Sequence, residues 1–182
     1  MPMKLIIASD LHGSFYWTEK LIKIFKESKA EKLILLGDIL YHGPRNDLPR
    51  DYNPKEVIKL LNPLAPNIIS VKGNCDAEVD QMVLDFDVSN AEKELSFPPL
   101  SDYKIYLVHG HHLKEKTFKK NSIILYGHTH ISKIEVFEDN TFINPGSVSI
   151  PKNSSLNSFI ILEDRSFKIL DFKGNIIEEK TF

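Results

Sequence analysis

Five apolar segments of this chain each run straight into a residue that can bind a metal through oxygen or nitrogen. Residues 4–9 lead to Asp10-Leu11-His12, 33–36 to Gly37-Asp38, and 68–71 to Gly73-Asn74. Residues 104–108 lead to His109-Gly110, and 122–126 to Gly127-His128-Thr129-His130. Short apolar runs bounded by polar residues read as buried strands. In an open α/β sheet the carboxyl ends of parallel strands share one edge, where ligands bind. The pattern therefore predicts that residues far apart in the chain meet in one site.

The segments between these runs fit that reading. Trp17, Leu21, Ile24, Phe25 and Ser28 fall on one helical face, with Ser14 placed to cap the helix. Residues 41–53 are rich in Pro, Arg and Asp and read as a loop, and a short helix carrying Val57, Ile58 and Leu61 follows Pro54. After about residue 95 the pattern changes to strands, with further candidates at 133–137, 141–143, 159–162 and 167–172. Asp139-Asn140 and Asp164-Arg165 read as hairpin turns. A βαβαβ first half and a meandering second half predict one domain, 1–182, with two packed sheets and helices outside. The length of 182 residues suits one sizeable core.

The donors are two carboxylates, one amide and four imidazoles: Asp10, Asp38, Asn74, His12, His109, His128 and His130. A single catalytic zinc takes three protein ligands, so this set suits two ions, one carboxylate bridging them. Hard oxygen and imidazole without thiolate point to Mn²⁺, Fe, Zn²⁺ or Ni²⁺ rather than to an all-oxygen Mg²⁺ or Ca²⁺ cage. Two divalent ions outweigh two carboxylates, and the excess positive charge attracts a phosphate oxygen and stabilises charge built up in the transition state. Water held between two such ions loses a proton at pH ~7 and can attack phosphorus in line.

Each element is weak alone, since Gly-Asp is a common turn and a lone His pair is more often a surface or core pair than a ligand set. The coincidence of five at strand ends carries the argument. His111 and His112 follow His109, and any of the three could serve as ligand; position directly after the strand favours His109. His111 is weighed equally between a substrate contact and no role, and His112 reads as a solvated side chain. In His42-Gly43-Pro44-Arg45-Asn46, Arg45 can hold a phosphate through paired N–H donors, against the plain alternative of a surface arginine. Asn144-Pro145-Gly146-Ser147 reads as a structural turn near the site.

These residues also resemble a known family. Asp10-Leu11-His12, Gly37-Asp38, Gly73-Asn74-Cys75-Asp76, His109-Gly110-His111 and Gly127-His128-Thr129-His130 are similar to the motif series of calcineurin-like metallophosphoesterases. The likeness extends over nearly the whole chain. It is greatest to small bacterial YfcE-type phosphodiesterases, through His42-Gly43-Pro44-Arg45-Asn46 and the run from Asn144 to Lys152. The resemblance implies a four-layer α/β/β/α sandwich of two mixed sheets flanked by helices, and a binuclear centre, often Mn²⁺. It assigns Asp10, His12 and His130 to one ion and Asn74, His109 and His128 to the other, with Asp38 bridging. Asp38, Asn74 and Cys75 become the catalytic candidates, and His42, Arg45 and His111 the substrate-binding ones. Many superfamily members carry a histidine at the position of Cys75, where it protonates the leaving group or steadies the transition state. A small buried thiol is the plainer reading of Cys75.

The expected substrate is a small phosphodiester or nucleotide-like molecule. The alternatives are a nucleotide-directed phosphohydrolase and a non-catalytic protein-assembly scaffold of the same fold, and a complete donor set favours the enzyme. A net charge of −2 argues against long nucleic acid as partner. No run approaches the ~20 apolar residues that span a bilayer. The opening run Leu5-Ile6-Ile7-Ala8 is too short for a secretory core, and Cys75 is the single cysteine, so a cytoplasmic location is expected. A homo-oligomer stays open.

Overall fold

A computed structural model describes residues 3–182; the first two residues of the expected 1–182 domain lie outside the described residues. The first half is βαβαβ: β1 Lys4–Ala8, α1 Phe15–Ser28, β2 Lys32–Leu35, α2 Pro54–Leu61 and β3 Ile68–Ser70. Strands β1, β2 and β3 are parallel neighbours. Alternation along β1 and β2 explains their continuous hydrophobicity. Ile6, Ala8, Leu33 and Leu35 face the helices, while Leu5, Ile7, Ile34 and Leu36 face the other way, toward a second sheet. Strands covered on both sides have no polar face to show.

Helix α1 starts where Ser14 Oγ accepts from the Trp17 N–H at 3.4 Å, and it buries Thr18, Leu21, Ile22 and Phe25. In α2 Asn53 is the N-cap and Pro54 opens the first turn, where its missing N–H costs nothing.

The second half supplies β4 Glu92–Leu95, β5 Lys104–Val108, β6 Ser122–Leu125, β7 Ser132–Phe137, β8 Asn140–Pro145, β9 Ser158–Glu163, β10 Ser166–Asp171 and β11 Ile176–Thr181. One sheet runs β11-β10-β9-β1-β2-β3 and the other β4-β5-β6-β8-β7. The expected meander is present only in β9-β10-β11, which extends the first sheet. Strands β5, β6 and β8 are parallel, so the second sheet points a further set of carboxyl ends toward the site. The turn between β7 and β8 falls at Glu138-Asp139 instead of Asp139-Asn140, because Asn140 already pairs with Phe137.

The core lies between the sheets, where Phe167, Ile105, Leu107, Ile123, Leu125 and Ile143 meet the inward face of β1 and β2. On the outer face of the second sheet, Leu113 and Phe118 cover Tyr106, Val108, Ile124 and Tyr126. Among the described residues that fourth layer is a loop with a short 3-10 turn, not an α-helix. The two strands missing from the sequence reading, β4 and β11, are sheet edges rich in Glu and Lys, which is how edges resist pairing with other chains.

Phe167 is fully buried in this inter-sheet core. Phe167→Ala is expected to cost about 3–5 kcal/mol. Urea unfolding should show a lower midpoint at unchanged slope; a loss under about 1 kcal/mol would place the core elsewhere.

Candidate metal centre

Asp10, Asp38 and Asn74 sit just past the carboxyl ends of β1, β2 and β3, and His109, His128 and His130 just past those of β5 and β6. The seven donors therefore meet where two sheets abut, not along one sheet edge. Five of them occupy the left-handed backbone region: Asp10 (φ 57°), His12 (φ 48°), Asp38 (φ 55°), His128 (φ 66°) and His130 (φ 60°). Such a conformation costs a non-glycine residue on the order of 1–3 kcal/mol and persists only where the surroundings dictate it. Here the surroundings are backbone bonds that continue the β1–β2 pairing beyond the strands. Asp10 N donates to Gly37 O at 3.1 Å and His12 N to Asp38 O at 2.9 Å.

Close approach fixes two glycines. A Cβ on Gly73 would lie 2.1 Å from Asp38 Oδ1, and one on Gly127 would lie 1.9 Å from Ser9 Oγ. Gly127 serves less as a flexible hinge than as a gap into which β1 presses, and the turn itself is made by His128 and His130.

The donors form two lobes. In the first, His12 Nε2 and His130 Nε2 lie 3.2 Å apart, at 3.6 and 3.2 Å from Asp10 Oδ1. In the second, Asn74 Oδ1 lies 2.9 Å from His109 Nε2 and 2.8 Å from His128 Nδ1. Asp38 Oδ2 stands between the lobes, 3.8 Å from His12 Nε2 and 3.3 Å from His109 Nε2. Three imidazoles are locked by their other nitrogen. The Nδ1–H groups of His12, His109 and His130 donate to the carbonyls of Tyr41 (2.7 Å), Leu36 (2.7 Å) and Ile150 (2.5 Å). Each Nε2 is thereby left as a lone pair aimed inward.

Lone pairs facing one another at these distances repel unless a positive charge lies among them. Among the described residues Asp10 Oδ1, fully buried, has no hydrogen-bond partner. Divalent ions fit this donor set. Two of the groups able to hold one are Asp10-His12-His130 and Asp10-Asp38-His109. In their place protons are drawn in. Burial opposes charge on His109, but its bonding to Asp38 and the Asp10 charge outweigh this and raise it to about 9. His12 is also raised, burial being overcome by Asp10. Burial likewise works against the Asp10 carboxylate, yet His12 and His130 hold it well below the usual range.

A cavity of about 890 Å³ opens over Asp38, Asn74, His128 and His130. Arg45 and Cys75 line it. His42 does not: its ring packs between Tyr41 and Tyr52, at 4.8 and 5.2 Å between centroids. His111 is exposed outside the lining, its ring 5.6 Å from that of His109, and His112 is exposed beside Glu115. Burial, with the Asp38 charge, pushes the Cys75 thiol up to about 12, so it stays protonated at neutral pH.

The sequence reading missed the residues that hold the donors. Asp76, nearly buried, accepts from the N–H groups of Asp38 (2.8 Å), Ile39 (2.8 Å) and Gly73 (2.7 Å), tying the loops after β2 and β3 together. Ser147 and Ser149 donate to the Asp10 carbonyl at 2.8 and 3.0 Å. All three stood in motifs that the sequence offered, Asp76 in Gly73-Asn74-Cys75-Asp76 and the serines in the run from Asn144 to Lys152, but residue type alone did not say that they hold the loops.

A family model described as "Calcineurin-like phosphoesterase superfamily domain" matches residues 3–166. "Phosphodiesterase YfcE" of Escherichia coli K12 is 40% identical over 171 residues, 92% of this chain and 91% of that protein. "Phosphodiesterase MJ0936" of Methanocaldococcus jannaschii is 30% identical, over 79% of this chain and 83% of its own. The solved structure of the E. coli YfcE phosphoesterase superposes with a TM-score of 0.92 at 38% identity, covering 98% of this chain and 99% of that one. Vacuolar protein sorting 29 from Cryptosporidium parvum shares the fold, with a TM-score of 0.65 at 16% identity over 100% of this chain and 99% of its own.

Protons and cations compete for one set of lone pairs, which gives a signed prediction. His109 is raised from 6.5 to about 9. Its contribution to the stability of metal-free protein is thus complete below pH 6.5 and fades as pH rises through about 9. Loading with Mn²⁺ at pH ~7 should release protons, measured by calorimetry in buffers of different ionisation enthalpy. The melting temperature of metal-free protein should fall between pH ~7 and ~9.5, and that of loaded protein should not. Proton-neutral loading would overturn this account.

Proposed function

We propose a specific chemistry for this centre on the premise that the chain belongs to the calcineurin-like phosphoesterase superfamily and is a metal-dependent phosphoesterase. Residues 1–182 form a single metallophosphoesterase domain whose substrate is a small phosphodiester. Asp10, His12 and His130 hold one divalent ion, Asn74, His109 and His128 a second, and Asp38 is shared. The observation that supports this most is the pair of inward-facing acceptor sets with Asp38 Oδ2 between them. Such ions supply positive charge against the phosphoryl oxygens and a water acidified to pKa ~7.

The chain's own residues do the positioning. The carbonyl-locked imidazoles keep their lone pairs fixed through turnover, and Asp76 keeps Asp38 and Asn74 in register. Hard oxygen and imidazole donors suit Mn²⁺, Fe, Zn²⁺ and Ni²⁺ alike, and Mn²⁺ is the ion that the family resemblance implies. Cys75 shares a third donor group with His12 and Asp38, but as a soft thiol beside hard oxygen and imidazole it stands outside both assigned sets.

The diester preference follows the name carried by the two curated relatives. A net charge of −2 argues against long nucleic acid. Among the described residues no helix is long and apolar enough to cross a membrane. With one free cysteine, we place the protein in the reducing cytoplasm. Likeness to vacuolar protein sorting 29 extends to the fold alone, and a complete donor set argues against a scaffold that has no use for one.

Two measurements test the reading. Metal-stripped protein should hydrolyse phosphodiesters, and more slowly monoesters, once Mn²⁺ is returned, with weaker restoration by Zn²⁺, Ni²⁺ or Mg²⁺. Asp38→Asn should lower turnover by at least about 10²-fold; near-normal activity removes Asp38 from the centre. The second test concerns the leaving group. With a weakly acidic thiol at position 75 in place of an imidazole, nitrophenyl esters should be cut far faster than alkyl esters. Equal rates for both would mean that a proton donor of suitable acidity serves the site.

A further inference from the structure

The geometry points to a second anion-binding element in the cavity: we propose that Arg45 and Lys152 hold an additional phosphate of the substrate. The enzyme then takes diesters of nucleotide size that carry a further phosphate group, an inference that rests on the phosphodiesterase reading above. The cavity measures about 890 Å³, near the upper end of ligand pockets, which run from about 300 to 1,000 Å³. A simple dialkyl phosphate would leave much of it empty.

Charge narrows the choice of occupant. Of the four charged side chains that line the cavity, two are acidic, Asp38 and Asp76. Asp38 belongs to the donor cluster, and both oxygens of Asp76 are taken by backbone amides. The other two, Arg45 and Lys152, are cationic. Among the described residues neither has a carboxylate within ion-pair distance, whereas Arg165 pairs with Asp102 and Lys4 with Glu163. A diester's single negative charge is answered by the centre itself, which leaves these two cations without a counterpart.

Both residues sit on segments bound to the centre. The Lys152 N–H donates to the His130 carbonyl at 3.1 Å, and Ile150, two residues earlier, orients the His130 ring. Arg45 lies in a turn closed by Asn46 Nδ2 donating to the His42 carbonyl at 2.8 Å. A planar guanidinium suits two phosphate oxygens, and a lysine adds a point charge. Pro44 and Tyr41 give the same wall an apolar surface against which the body of a nucleotide can rest.

The test uses Mn²⁺-loaded protein and two probes, adenosine 3′,5′-bisphosphate and adenosine 5′-monophosphate. Binding is measured by calorimetry and by competition with bis(4-nitrophenyl) phosphate. The bisphosphate should bind at least about ten-fold tighter than the monophosphate. In the Arg45→Ala/Lys152→Ala double variant that ratio should fall close to one, with Arg45→Lys keeping part of it. Equal binding of the two probes to the unaltered protein, or an unchanged ratio in the double variant, overturns the proposal. Should the double variant fold poorly, Arg45→Gln and Lys152→Gln separately should each lower the ratio about three-fold. Absence of any ester hydrolysis would sink the phosphodiesterase reading instead, because the calorimetric ratio is read without turnover.

Discussion

Three hydrogen bonds from imidazole to main chain set the character of this molecule. Tyr41, Leu36 and Ile150 each accept an Nδ1–H, from His12, His109 and His130 respectively, and so decide which nitrogen of each ring faces inward. A histidine free to flip could relieve crowding among acceptors by presenting N–H instead. These cannot do so freely, because turning a ring would leave a carbonyl without its donor, at a cost of about 1–3 kcal/mol where the pair is buried, as at Leu36. The cluster thus keeps its excess of lone pairs, and only a cation or a proton can satisfy them. Depressed carboxylates and raised imidazoles are both consequences of that single constraint.

The fold carries the cost of this arrangement. Five donors in left-handed backbone would unravel a turn that had nothing else to hold it. Three devices oppose that: the β1–β2 pairing that continues to Gly13 and Ile39, the Asp76 carboxylate drawing three amides to one point, and Ser147 and Ser149 gripping the carbonyl of Asp10. Behind them the inter-sheet core is dense with fully buried Leu, Ile and Phe. Strain at the mouth of the sheets is supported by burial beneath it.

Much of this was legible in the sequence because burial on both faces leaves a clear trace. The runs around Ile6, Ile34 and Leu107 could hardly be anything but inner strands, and the polar residue that ends each one is conspicuous against them. The charged edge strands β4 and β11 leave no such trace, since Glu92-Lys93-Glu94 reads as a solvated loop until Val108 and Tyr106 are found beside it. The parallel course of β5, β6 and β8 was hidden for another reason: the β5–β6 crossover contains only a short 3-10 turn, where parallel strands usually announce themselves by a helix. Within the site the donors were visible by residue type. What orients them was not, because three of the orienting groups are carbonyls that every residue possesses. His42 shows the converse, a residue of suggestive chemistry whose ring the fold spends on packing against two tyrosines.

The division of labour between strands and loops says which features of the enzyme can change and which cannot. Every donor is held by backbone at the end of a strand, in a register set by the core, so moving one would mean moving a sheet. The rest of the cavity wall comes from elsewhere: Tyr41, Gly43, Pro44, Arg45, Asn46, Ala77 and Lys152 lie in connections. Residues in such connections can be exchanged with little effect on the core. A chain built this way keeps one hydrolytic centre fixed while its wall adapts to different phosphate esters. That is why shared donors do not by themselves name a substrate, and why the charges on the wall are the informative residues.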